Sequence, residues 1–261
     1  MDTLYPVAGL LVGLLVGFTG VGAGALMTPM LVLIFGVAPQ TAVGTDLLFA
    51  AITKGVGVCV HGARGSVDWL VMRRLAAGSL PAAVLTLLMM HYFPQNADLK
   101  IVIMAGLGVV LILTSLAIIF QSRLHRVGQH LRSVAPTQFK RAQPLLTVIA
   151  GVLLGFLVTL TSVGAGALGV VMLVYLYPFR LTPLKLVGTD LAHAVPLTLV
   201  AGLGHLGLGN VEFPLLGSLL VGSVPGIIIG SLLSSRVNHV YLRYAIALTL
   251  AVVGGKILLN S

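Results

Sequence analysis

The chain alternates long apolar runs with short polar stretches. Apolar segments occupy 5–36, 44–61, 70–91, 98–120, 145–177, 187–206, 213–235 and 239–259. A helix needs about 20 apolar residues to cross a bilayer, so this pattern predicts an all-α polytopic membrane protein. One clearly polar stretch, 121–144, carries five Lys and Arg and connects two halves. Segments 5–36 and 145–177 are anomalous, with 32 and 33 residues. As straight helices they would run about 48–50 Å, against a hydrocarbon core of about 30 Å. Each has a glycine-rich break near its middle, at 20–24 and at 162–166, and Pro29 follows the first. Two half-helices meeting at a glycine turn fit this length, because irregular backbone at depth is tolerated where it lines a cavity.

The halves repeat. VGTDL at 43–47 returns at 187–191, a shift of 144 that also carries His61 onto His205, Gly65-Ser-Val-Asp68 onto Gly209-Asn-Val-Glu212, and Gly78-Ser-Leu-Pro81 onto Gly222-Ser-Val-Pro225. VGAGAL at 21–26 returns at 163–168 with a shift of 142. Ordered matches of this kind mark two copies of one unit. The expected organisation is a first repeat over 1–120, a basic cytoplasmic linker over 121–144 and a second repeat over 145–261. Each repeat holds a broken, re-entrant helical hairpin and three transmembrane helices.

Charge decides how the copies face. Fifteen Lys and Arg stand against six Asp and Glu, a net +9. Lys54, inside a helix run, is left uncounted; if both long segments cross once, the repeats are parallel, and the other Lys and Arg divide nine to five between the linker side and the far side. If both are re-entrant, the second copy inverts. The linker side then holds Arg64, Arg73, Arg74, Arg123, Arg126, Arg132, Lys140, Arg141, Arg180, Lys185, Arg236 and Arg243, and the far side only Lys100 and Lys256. Twelve to two satisfies the positive-inside rule far better. The expectation is inverted repeats with the linker in the cytoplasm, both termini outside, and a multi-pass place in the cell inner membrane. Inverted repeats around broken helices are the mark of secondary transporters.

Composition narrows the classes further. Charged residues make up 8% of the chain, about a third of the usual ~25%, too few to coat a soluble globule. The 58% apolar content excludes disorder. The basic balance is read as loop charge rather than nucleic-acid binding, since stacking aromatics and a basic stripe are missing. A single cysteine, Cys59, excludes an intrachain disulfide and a cysteine metal cluster. Met1-Asp2-Thr3 has no basic n-region, so no cleaved signal peptide is expected. With no GxxxxGK[ST] and no HExxH, neither ATP drive within the chain nor an intramembrane zinc protease is expected.

The paired breaks (VGAGA, then SVGAGA), the paired VGTDL, the histidine pair and the paired Gly-Ser-hydrophobic-Pro together resemble the sulfite exporter TauE/SafE family of membrane transporters. The resemblance covers essentially the whole chain. Ala23 and Ala165 stand where the family usually carries the middle glycine of a triplet. The resemblance implies a small sulfur-containing or organic anion, such as sulfite or a sulfonate, as substrate, with export as the direction.

A half-helix N-terminus offers unpaired N–H donors and about half a positive charge, and binds anions without a basic side chain. The expected substrate-binding residues are therefore Thr19, Gly20, Gly22, Ala23 and Gly24 in the first break and Thr161, Ser162, Gly164, Ala165 and Gly166 in the second. The competing reading is that these glycines only let helices pack closely. Lys54 is the one Lys or Arg well inside an apolar run, and its repeat mate is Thr198. It either attracts the anion or snorkels and pairs with Asp46. Asp46 and Asp190, in Thr-Asp pairs at segment starts, read either as helix caps or as proton-coupling or gating groups. His61 and His205 are gating or proton-coupling candidates, against the plainer reading of satisfied interfacial histidines. His193, inside a helix run, is weaker. The expected partners are a small anion and the lipid bilayer, with no cofactor, no metal and no nucleic acid. The competing classes are an intramembrane enzyme using the two Asp, or Ser162 with a His, and a non-catalytic membrane subunit.

Overall fold

The computed structural model describes residues 4–19, 24–61, 67–92, 97–233 and 239–260, and among them every regular element is helical. Helices α1 (Leu4–Thr19), α2 (Gly24–Leu33), α3 (Pro39–His61), α4 (Trp69–Tyr92) and α5 (Ala97–Val134) are followed by α6 (Pro136–Thr161), α7 (Ala167–Leu176), α8 (Pro183–Gly207), α9 (Phe213–Leu233) and α10 (His239–Asn260). Five helices among the described residues are long and apolar enough to cross a bilayer: Trp69–Tyr92, Ile101–Val134, Pro136–Thr161, Pro183–Gly207 and Phe213–Leu233. The basic connector at 121–144 is itself helical. It prolongs α5 to Val134 and opens α6 at Pro136, where proline is well placed because a first-turn N–H has no intrahelical partner.

Both over-long apolar runs double back. Helix α7 has ten residues, about 15 Å, half the ~30 Å core. Its far end returns to the start of α6. Gln143 Nε2 donates to Leu176 O at 2.6 Å, and the Thr147 and Tyr177 hydroxyls bond at 2.7 Å. In the first copy Tyr5, on α1, stacks at 4.8 Å on Phe35, just past α2. Tyr5 and Phe35 are the positions that Thr147 and Tyr177 occupy 142 residues later. Each copy thus closes its hairpin at the same two positions, once with rings and once with hydroxyls.

The copies interlock reciprocally. Helix α1 packs on α9 as α6 packs on α4, while α3 meets α8 and α5 meets α10. The α1–α9 seam is lined by Gly9, Gly13 and Gly17 on one side and Gly222, Gly226 and Gly230 on the other. A Cβ at any of the six would strike the facing backbone. Without a hydrophobic force between helices in lipid, such small residues bring backbones close enough for dispersion and Cα–H···O contacts to hold them. Gly78, Gly151 and Gly155 do the same between α4 and α6.

Two hydrogen bonds repeat this exchange. Thr45 Oγ1 accepts the N–H of Glu212 at 3.1 Å, and Thr189 Oγ1 accepts the N–H of Asp68 at 2.9 Å. Each residue is the other's mate under the shift of 144. Neither threonine caps its own helix, because α3 and α8 begin earlier, at Pro39 and Pro183. They satisfy instead the amides that lead into α9 and α4, across the boundary between copies.

Candidate functional site

The second break is built by chain ends that lack ordinary helical partners. Helix α6 stops at Ser162, which turns left-handed (φ 59°) while its N–H bonds back to Val158 O at 2.7 Å. Gly164 and Gly166 follow with φ of 114° and 131°, conformations that strain any residue with a Cβ. Thr161 Oγ1 donates to Leu157 O at 2.7 Å and accepts from Val163 N at 3.2 Å, so this hydroxyl closes the end of α6. Helix α7 then starts with no side-chain cap at Gly166 and no acidic residue in its first turn. The positive end of its dipole is aimed at the break.

Lys54 reaches this turn from the other copy. It is buried on α3, and its Nζ donates to Ala165 O at 2.5 Å. A cation at the N-terminal end of α7 adds to the dipole's positive charge rather than offsetting it. The charge is met from further away by Asp46 and Asp190, both near enough to interact with the ammonium. Neither lies within ion-pair distance of it among the described residues.

The two aspartates occupy equivalent places with unequal partners. Asp46 Oδ2 accepts from the Thr28 hydroxyl of α2, while its Oδ1 meets no hydrogen-bond partner among the described residues. Asp190 Oδ1 lies against Gly169 of α7, where a Cβ would strike it, and neither of its oxygens has a hydrogen-bond partner among the described residues. Position 170, which matches Thr28 under the shift of 142, is a valine, so the second copy lacks the hydroxyl.

A further buried ionisable group lies on α8. His193 is buried on α8, one turn from Asp190, with its Nε2 at 2.8 Å from Ser79 Oγ of α4. Its Nδ1 has no hydrogen-bond partner among the described residues. Its repeat mate is Phe49 and that of Lys54 is Thr198, so each copy contributes one ionisable side chain that the other lacks. The signal was available in the same comparison of repeats that singled out Lys54. The Ser79–His193 pair has the reach of a nucleophile and base, but no carboxylate holds Nδ1, the third member such pairs use for orientation.

The remaining predicted residues fall as follows. Ser162 is buried beside Ala165 in the break, its Oγ turned toward the Asp46 carboxylate and outside full hydrogen-bond geometry. His205 is buried at the end of α8, its Nε2 donating to Thr159 O at 2.9 Å and its Nδ1 facing the Asn210 amide at 3.4 Å. A ring bonded at both nitrogens ties α8 to α6 and to the 210–212 loop. Gly20, Gly22 and Ala23 lie outside the described residues, as do the surroundings of Thr19, Gly24 and the His61 side chain. Among the described residues, no group of three or more His, Cys, Asp and Glu is placed to hold a metal ion.

This site sits at the junction of two broken hairpins, and the profile of one transporter family matches the chain from residue 5 to 257, described as sulfite exporter TauE/SafE. The chain belongs to this family. It is 40% identical to the probable membrane transporter protein YjnA of Bacillus subtilis (strain 168), over 99% of this chain and all of the relative. The probable membrane transporter protein YdhB of the same organism is 29% identical over 94% of this chain and 95% of its own. The probable membrane transporter protein MJ0441 of Methanocaldococcus jannaschii is 24% identical over 96% and 93%. No solved structure matches the chain. Membership makes the protein a polytopic membrane transporter. In this TauE/SafE family member, the buried Lys54–Ala165 contact ties the first copy to the second break.

Proposed function

We propose that the protein exports a small sulfur-containing or organic anion, such as sulfite or a sulfonate, across the cell inner membrane by alternating access. One observation carries the reading. An ammonium, an uncapped half-helix N-terminus and a buried hydroxyl meet in one turn, at Lys54, α7 and Ser162. All three favour negative charge, and oxygen-rich anions accept hydrogen bonds from several directions at once.

Charge counting adds proton coupling. Lys54, Asp46 and Asp190 sum to one negative charge when all are ionised. An anion entering that buried group leaves unpaired charge that is costly to desolvate. A proton on one of the aspartates offsets it, so anion occupancy and protonation are linked. The two copies are related by a pseudo-two-fold axis in the membrane plane, with the linker in the cytoplasm. The reciprocal Thr45–Glu212 and Thr189–Asp68 bonds and the twelve-to-two distribution of Lys and Arg support this. Rocking one half against the other then exposes the site to each side in turn.

The test is radiolabelled sulfite and sulfonate flux in proteoliposomes, with and without a pH gradient. Saturable flux that responds to the gradient supports both parts. Flux that saturates but ignores the gradient removes the coupling. Absence of flux and of binding for every small sulfur or organic anion tried removes the substrate class.

A further inference from the structure

A second cationic site lies where the second hairpin closes, at the Gln143 and Tyr177 end of α6 and α7 and away from the glycine break. Arg74 of α4, Arg132 of α5, Lys140 of α6 and Arg180 of the 177–182 loop line a cavity of 380 Å³ together with Gln143 and Tyr177. That volume is within the ~300–1,000 Å³ of small-molecule sites. Arg180 is held by Asp68 through two hydrogen bonds of 2.6 and 3.0 Å. Arg74 reaches only the Tyr177 hydroxyl, at 3.4 Å, and Arg132 the Pro136 carbonyl, at 2.9 Å. No carboxylate lies within ion-pair distance of Arg74, Arg132 or Lys140 among the described residues. Three cations from three helices thus converge on one cavity with no carboxylate among the described residues within ion-pair distance of them.

The surroundings place the cavity at the membrane boundary. Trp69, next to Asp68, is 59% exposed, and Phe179, in the cavity wall, is 66% exposed. Exposed aromatics of this kind sit at headgroup level. Leu145, beside the lining residue Pro144, is 65% exposed on the outer face of α6. A ligand with an anionic head and an apolar tail meets both surfaces at once. Basic pockets between transmembrane helices bind such headgroups.

We propose that this cavity binds the phosphate of an anionic ligand, a glycerophospholipid headgroup or free phosphate, and so fastens the linker end of α5 and α6 to α4 and the 177–182 loop. The site stands at the opposite end of α7 from the Lys54 turn, and its test does not depend on flux.

The experiment uses the purified full chain in a neutral detergent, with native mass spectrometry and thermal unfolding as readouts. The probes are phosphatidylglycerol, phosphatidylcholine and inorganic phosphate. The expected result is retention of phosphatidylglycerol over phosphatidylcholine, weakening as salt rises, with a matching increase in Tm. Combining Arg132→Gln with Lys140→Gln should weaken retention by roughly tenfold, since two charge-assisted contacts are lost, while Arg132→Lys retains part of it. These are outward positions, so the variants should remain monodisperse. Inorganic phosphate that displaces the lipid and alone raises Tm supports the same chemistry with the free ion as source. Equal retention of both lipids, or phosphatidylglycerol retention unchanged in the double variant, overturns the proposal. Displacement by sulfite but not by phosphate also overturns it, because the cavity would then be a vestibule for substrate.

Discussion

Lys54 Nζ lies on the carbonyl oxygen of Ala165, a residue 111 positions further along the chain and in the other repeat. The bond fixes the α3 cation at the mouth of α7, and so at the proposed anion site. Lys54→Met should reduce sulfite affinity in the purified protein at least tenfold, and Lys54→Arg should keep part of it. Removing one partner of a buried charge group also costs about 3–5 kcal/mol, so affinity is compared only among monodisperse variants. Full affinity in the Met variant would leave Lys54 as a structural tie between the copies.

Gly164 has φ of 114°, and a β-branched residue there is a genuine outlier. Such strain is of order 1–3 kcal/mol, tolerable for folding but enough to reshape the turn. Gly164→Val should abolish anion binding while the protein still inserts and purifies as a single species. Gly22→Val is the matching change in the first copy. Ser162→Ala removes one hydroxyl, and one hydrogen bond is worth ~1 kcal/mol net, so affinity should fall about fivefold. Normal binding isotherms in both Val variants would make the breaks packing devices.

The hairpins were legible because the two longest apolar runs exceed a membrane span and break at glycine. The duplication was legible because VGTDL survives in both copies. Helix starts were not. Pro39-Gln-Thr and Pro183-Leu-Lys read as loop by polarity, yet they form first turns, which moves Thr45 and Thr189 from caps of their own helices to partners of Glu212 and Asp68. No local pattern encodes that exchange, since each partner lies in the opposite copy. Thr28 is one hydroxyl in an apolar half-helix, and only its contact with Asp46 gives it a role. The cation cluster of Arg74, Arg132, Lys140 and Arg180 is spread over four elements, so it registers in the sequence only as loop charge.

The unequal aspartates predict unequal roles in coupling. Asp46 shares its carboxylate with Thr28, whereas Asp190 has no hydrogen-bond partner among the described residues. Asp190→Asn should therefore remove the response of flux to a pH gradient while leaving anion exchange measurable. Thr28→Val should make Asp46 behave more like Asp190 and shift the pH profile of flux without abolishing it. His193→Gln keeps a polar group opposite Ser79, and separates a proton path through the ring from simple packing. An unchanged pH profile in Asp190→Asn would assign coupling elsewhere.

Asp68 supports a prediction that needs no substrate. Its carboxylate takes two hydrogen bonds from Arg180, and its Oδ1 also accepts the Val71 N–H at 3.2 Å, capping α4. Burial opposes ionisation of Asp68, but the Arg180 and Val71 bonds outweigh it and hold the carboxyl below its ordinary value. Side-chain exposures of 46% for Arg180 and 11% for Asp68 keep the ion pair modest, about 0–1 kcal/mol, and the cap adds ~1 kcal/mol. Asp68→Ala should therefore cost about 1–2 kcal/mol, a Tm drop of roughly 2–4 °C per kcal/mol. A depressed folded value means that the contribution is complete above the unfolded value of about 3.9 and is lost as pH falls through the folded one. The difference in Tm between wild type and variant should stay constant from about pH 8 to about pH 5 and shrink only in stronger acid. A difference that already shrinks near pH 6, measured in the same detergent, would show that some group other than Asp68 sets it.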